Sequence, residues 1–188
     1  MLNALKDKAH TWAVEHGFYE EVKPDAFYLG LVMSEAGEAI NADRKGMHAD
    51  TKRFEEVMAM KCISPRVAFE GKIKDSVEDE IADIVIRLLD FAGLKRYRLL
   101  ISGYSARPSN AIIETFAENG LSGTLFHLNG ALSDSLDDNS LKSCVGIVIN
   151  IISDCFEEMT GSDKDLWWFV EQKMRYNDLR PRLNGKKY

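Results

Sequence analysis

Apolar residues return at every third or fourth position through most of this chain, a spacing that predicts helices rather than strands. Leu5, Ala9, Trp12 and Ala13 form one stripe of a first helix over residues 2–16, which Gly17 stops. Pro24 suits the first turn of a second helix. Its stripe runs Tyr28, Leu31, Val32, Glu35, Ala39 and Ala42 before Gly46 ends it, so Glu35 lies within the apolar seam. Residues 47–74 are mixed, with a short helix expected over 51–60 and breaks at Pro65 and Gly71. Asp75 or Ser76 can cap a further long helix. Val77, Ile81, Ile84, Val85, Leu88 and Phe91 make its core stripe, and Glu80, Asp83, Arg87 and Asp90 line the adjacent face. Residues 95–110 read as a loop with Gly103 and Pro108 as breakers. Helical patterns resume over 111–118, 124–136 and 141–159. A last helix is expected after Ser162, an N-cap candidate, running to Leu179 and stopped by Pro181. Strand-like alternation is scarce, so the predicted fold class is all-α.

A faint internal likeness pairs Ile84-Val85-Ile86 with Ile147-Val148-Ile149, and Leu31 and Glu35 with Leu125 and Asn129. In that alignment Glu80 faces Ser143 and Asp83 faces Gly146, so a second copy has lost its acids. Coincidence between apolar helices is the simpler explanation, and a degenerate duplicated half is the other.

The chain has 188 residues, which predicts one domain, and 45% of them are hydrophobic, enough for a core. A net charge of −6 argues against a nucleic-acid polymer as partner. Cys62, Cys144 and Cys155 fit neither a disulfide framework nor a zinc site, and a reducing compartment is the simpler reading. The first residues carry no signal-peptide pattern, and the apolar stretch near 145–152 is too short to span a bilayer. A soluble cytoplasmic protein is therefore expected.

Two carboxylate pairs change the picture from fold to chemistry. Glu35-Ala-Gly-Glu38 and Glu80-Ile-Ala-Asp83 each place acids three residues apart on one helical face. Lone pairs of this kind are usually solvated surface. These two sit on or beside apolar stripes, where acids are costly unless paired or bound to a cation. All-oxygen ligands suit Mg²⁺, with Mn²⁺ as an alternative. The competing reading is a structural network in which Arg87 satisfies Asp83, four residues earlier.

A second group lies near the C-terminus. Lys173, Asn177 and Arg180 recur at i, i+4 and i+7, Tyr176 lies beside them, and Arg182, Lys186 and Lys187 follow. Cations there can simply complement a helix C-terminus. A Lys, an amide and an Arg in one row also suit phosphate oxygens. Among the aromatics, most belong to a core, and Trp12 is the candidate to stack on a base. His10, His16, His48 and His127 show no ligand spacing to the acids, which argues against a ferritin-like di-iron bundle.

On these residues the chain resembles the MazG-like all-α nucleoside triphosphate pyrophosphohydrolases, relatives of the phosphoribosyl-ATP pyrophosphatases and dimeric dUTPases. The family signature is E-x-x-E followed on the next core helix by E-x-x-D, here Glu35/Glu38 and Glu80/Asp83. Ser34-Glu-Ala-Gly-Glu-Ala-Ile40, Val77-Glu-Asp-Glu-Ile-Ala-Asp83 and Lys173-Met-Arg-Tyr-Asn-Asp-Leu-Arg180 are similar to the family's text. The likeness covers residues 1–92 and 164–188. It implies a four-helix-bundle core from 1–92 and 164–180, a helical insertion over 95–163 and a basic tail over 181–188. The 41 residues between the acid pairs and the segment 95–163 depart from a minimal member.

The resemblance implies Mg²⁺-dependent hydrolysis of a (deoxy)nucleoside triphosphate to the monophosphate and pyrophosphate, in a homodimer or homotetramer. Glu35, Glu38, Glu80 and Asp83 are then metal ligands, with Glu35 or Glu38 activating water. Lys173 and Arg180 neutralise the leaving pyrophosphate. Tyr176, Asn177, Lys186 and Trp12 are further substrate contacts. A phosphoribosyl-ATP pyrophosphatase, a dUTPase/dCTPase-type enzyme and a non-catalytic nucleotide sensor are the alternatives.

Overall fold

The computed structural model describes residues 2–60, 62–100 and 110–180, and every regular element among them is an α-helix. The core helices are α1 (Leu2–Glu15), α2 (Asp25–Arg44), α5 (Val77–Leu94) and α9 (Leu166–Asn177). Two short helices, α3 (Thr51–Ala59) and α4 (Pro65–Lys72), link α2 to α5. Between α5 and α9 come α6 (Asn110–Asp134), α7 (Asp138–Asp154) and α8 (Phe156–Thr160).

Helix α5 is the hub, packed by α1, α2, α9 and α7. Its apolar stripe explains why. Val77, Ile81, Val85, Leu88, Leu89 and Ala92 are all fully buried, and each large aliphatic among them contributes about 1.5–3 kcal/mol of transfer free energy. Buried this completely, α5 still carries Asp79, Glu80, Asp83, Arg87 and Asp90, and these need partners on the helices around it.

The ends of the helices follow local chemistry. Gly46 adopts φ 63° after α2, where its N–H and that of Met47 close on the Asp43 and Ala42 carbonyls. Ser76 caps α5 through its Oγ, which accepts from Asp79 N–H at 3.2 Å, while Asp75 sits at φ 64°. The Asp79 carboxylate accepts in return from Asp75 N–H at 3.0 Å.

Several expectations need correction. Pro65 opens α4 instead of breaking a helix, because a helix N-terminus does not need its missing N–H, and Gly71 lies inside the same helix. The helices expected over 111–118 and 124–136 do form: α6 is two helical runs that meet at Gly120, whose φ of 60° and ψ of −168° are not helical. The helix expected over 141–159 divides at Cys155 into α7 and α8. Asp165 rather than Ser162 caps the last helix, accepting from Trp168 N–H at 2.8 Å, and that helix ends at Asn177. Helices α6 and α7 pack on each other, α6 lies on α2 and α7 on α5, so the segments aligned as a faint repeat are neighbours in space. No described helix is long and apolar enough to cross a membrane.

Candidate functional site

Helices α2 and α5 cross so that Glu35 and Glu38 face Glu80. One carboxylate oxygen from each lies within 4.8 Å of the others. Glu35 and Glu80 are buried, and Glu38 is exposed at the rim. Glu38 has no hydrogen bond or ion pair among the described residues, whereas Glu35 accepts from Arg87 Nε and Nη2 at 2.7 Å. Burial, and Asp83 beyond it, raise the Glu35 carboxyl above its ordinary range, against the pull of Arg87. Burial and the neighbouring Asp83 push the Glu80 carboxyl up to about 8. The nearby Lys173 ammonium pulls the other way but does not offset them.

Asp83 does not join this group. It turns to Lys173, whose Nζ lies 2.7 Å from its Oδ2 and 2.8 Å from both oxygens of Asp79. Lys173 and Asp79 are nearly inaccessible. Burial works to strip the proton from Lys173, but Asp83 and Asp79 outweigh it and hold the ammonium well above the usual lysine range. Lys173 is therefore the clasp between α9 and α5. The structure also corrects the role given to Arg87, which pairs with Glu35 across the helix interface and not with Asp83 on its own helix.

A cavity of about 220 Å³ opens over these residues. Glu35, Glu38, Glu80 and Asp83 line it, as do Lys74, Lys173, Asn177 and Arg180; Lys74 is ion-paired to Asp75, which lines it too. Arg180 lies in the turn beyond α9, tied by its N–H to the Asn177 carbonyl at 2.9 Å, and still reaches the cavity. Asn177 is buried with its Oδ1 unpartnered. Trp12 lines the cavity too, stacked on His16 at 4.0 Å, with Nε1 unpartnered.

Tyr176 is not brought to this site. Its ring stacks on Phe69 at 4.5 Å and its hydroxyl donates to Glu70 at 3.0 Å, away from the cavity. Tyr176 directly precedes Asn177 in α9, and the rotation of about 100° per residue turns it off the Lys173–Asn177 row. Lys186 lies outside the described residues, as does the rest of the basic tail.

Sequence reasoning missed Asp79 as a partner of Lys173. The Ser76-x-x-Asp79 spacing signals a helix cap, but nothing local reports a lysine 94 positions away. It also missed the chain behind the acids, where His10 Nδ1 meets Asp90 Oδ1 at 2.9 Å.

The donor set fits a hard divalent cation. Three carboxylates from two rigid helices converge, two of them are buried, and they bind better as anions than their surroundings now allow. Fold and site together define an all-α bundle with a three-carboxylate cavity that basic side chains also line. The chain matches no family model, no curated protein and no solved structure.

Proposed function

We propose that this protein is a MazG-like nucleoside triphosphate pyrophosphohydrolase that uses Mg²⁺, or Mn²⁺ in its place. One observation carries the reading: Glu35, Glu38 and Glu80 converge within 4.8 Å in a cavity that Lys74, Asn177 and Arg180 also line. A polyphosphate bound with a divalent cation needs both halves. A cation there supplies charge for the phosphate oxygens and acidifies water.

The residues divide the remaining work. Glu38, exposed and unpaired, is the base that orients water toward the α-phosphorus, since Glu35 is engaged by Arg87. Arg180 and Lys74 take charge on the departing pyrophosphate. Asn177 presents its unpartnered oxygen to a hydroxyl of the substrate. Lys173 acts at one remove: it holds Asp83 and Asp79 and so fixes the register of α9 against α5. A cytoplasmic setting and a homo-oligomeric assembly belong to the same proposal.

The test is pyrophosphate release from a panel of canonical and modified (deoxy)nucleoside triphosphates with Mg²⁺, with identification of the monophosphate. Release of orthophosphate instead of pyrophosphate, or no product from any nucleotide in a folded protein that binds Mg²⁺, overturns the reading.

A further inference from the structure

The acid cavity is small for the whole of such a substrate. Its volume of about 220 Å³ falls below the roughly 300–1,000 Å³ of pockets that enclose drug-sized ligands. A second cavity of about 290 Å³ adjoins it. Phe18, Arg87 and Asp90 line both, so three side chains divide the two spaces. Taken together, the two reach the usual range.

The second cavity differs in chemistry. Tyr19, Phe27, Tyr28 and Leu31 wall it, and it contains none of the three converging carboxylates. The Phe27 and Tyr28 rings stand edge to face at 5.5 Å, and Tyr19 and Tyr28 lie 5.6 Å apart. Glu20, Glu21 and Lys23 line it from the segment after α1, and α5 adds Arg87 and Asp90, three residues apart and so on one face. Arg87 uses Nε and Nη2 on Glu35, and Asp90 uses Oδ1 on His10 and has the Tyr19 hydroxyl beside it. An aromatic enclosure with a donor and an acceptor side by side matches a flat heterocycle with hydrogen-bonding edges. Arg87 also ties the two spaces, because the guanidinium that borders the second cavity bonds Glu35 in the first.

We propose that this second cavity receives the nucleoside half of the substrate, with the base against Tyr19, Phe27 and Tyr28 and its edge on Arg87 and Asp90. The phosphates lie in the acid cavity. The inference rests on the pyrophosphohydrolase reading and places the base beyond Phe18, away from Trp12.

Equilibrium binding separates the two ideas. The probes are non-cleavable α,β-imido nucleoside triphosphates and inorganic tripolyphosphate, each with Mg²⁺. The variants are Leu31→Trp, which fills the second cavity, and Phe27→Ala, which removes one wall. Circular dichroism and thermal melting establish that each is folded. The wild-type protein should bind at least one imido nucleotide ten-fold or more tighter than tripolyphosphate. Each folded variant should lose most of that margin. A margin that survives in both places the nucleoside elsewhere and overturns this inference while leaving the function standing. Failure of the wild-type protein to bind any probe removes the function and the inference with it.

Discussion

Replacing Lys173 with Met tests how this site is held together. The change leaves volume and helix propensity almost unaltered and removes one charge. Lys173 sits between Asp79, with a side chain 1% exposed, and Asp83, at 20%. Asp83 can turn toward water when the ammonium is gone, but Asp79 cannot. Removing one partner of a buried pair costs about 3–5 kcal/mol. Asp79 keeps the Asp75 N–H at 3.0 Å, so a loss of about 3 kcal/mol is expected, at the lower end of that range. For a chain of this size that lowers Tm by roughly 6–12 °C.

The deficit should depend on pH. Burial already pushes the Asp79 carboxyl up to about 6 with Lys173 beside it, and without that cation it rises further. An acid whose folded pKa lies above its unfolded value contributes stability that is lost as pH rises toward the folded pKa. The Lys173→Met variant should therefore lose more, relative to wild type, at pH 8 than at pH 5. Urea unfolding at both pH values measures this. The double variant Lys173→Met/Asp79→Asn removes the orphaned charge and should recover at least half of the loss. A deficit below about 1 kcal/mol at both pH values, or a double variant no more stable than the single one, refutes the account of Lys173 as a buried clasp.

Three further outcomes follow from the same geometry. Glu38→Gln should cut pyrophosphate release at least about 100-fold while shifting unfolding free energy by no more than about 0.5 kcal/mol, because Glu38 is exposed and unpaired; near-normal turnover removes Glu38 from the chemistry. With the Glu80 carboxyl at about 8 in the folded state, the metal-free protein should lose stability as pH rises from about 4.3 through that value. Saturating Mg²⁺ should offset the loss by about 2.7 kcal/mol at 100 times Kd, and thermal melting that is insensitive to Mg²⁺ at pH 8 contradicts the metal site. Gly93→Ala should destabilise by about 1–3 kcal/mol, because a new Cβ would overlap His10 Cβ and Cγ where α1 meets α5; an unchanged Tm would show that this contact relaxes freely.

The sequence by itself determined the local features. Period-3.6 stripes marked the core helices, Gly46 and Ser76 marked helix ends, and the i, i+3 spacing placed Glu35 with Glu38 and Glu80 with Asp83 on single helical faces. Each of these depends on residues within one or two turns, so the chain reports it directly. Helix α4 was missed because Pro65 acts as a breaker or an opener according to its position relative to the first turn, and residue type alone does not say which. The division at Cys155 has no signal in the residue types around it.

Only the tertiary structure decided which charges meet. Arg87 has Asp83 four residues away on its own helix and pairs instead with Glu35, 52 positions distant. Asp83 goes to Lys173, so three of the four expected acids converge rather than four. The second, aromatic cavity likewise exists because the segment after α1 folds across α5. Helical periodicity sets the direction of a side chain about its own axis. Ion pairing and cavity shape depend on the distance and crossing of separate helices, which the packing of α5 against α1, α2 and α9 establishes.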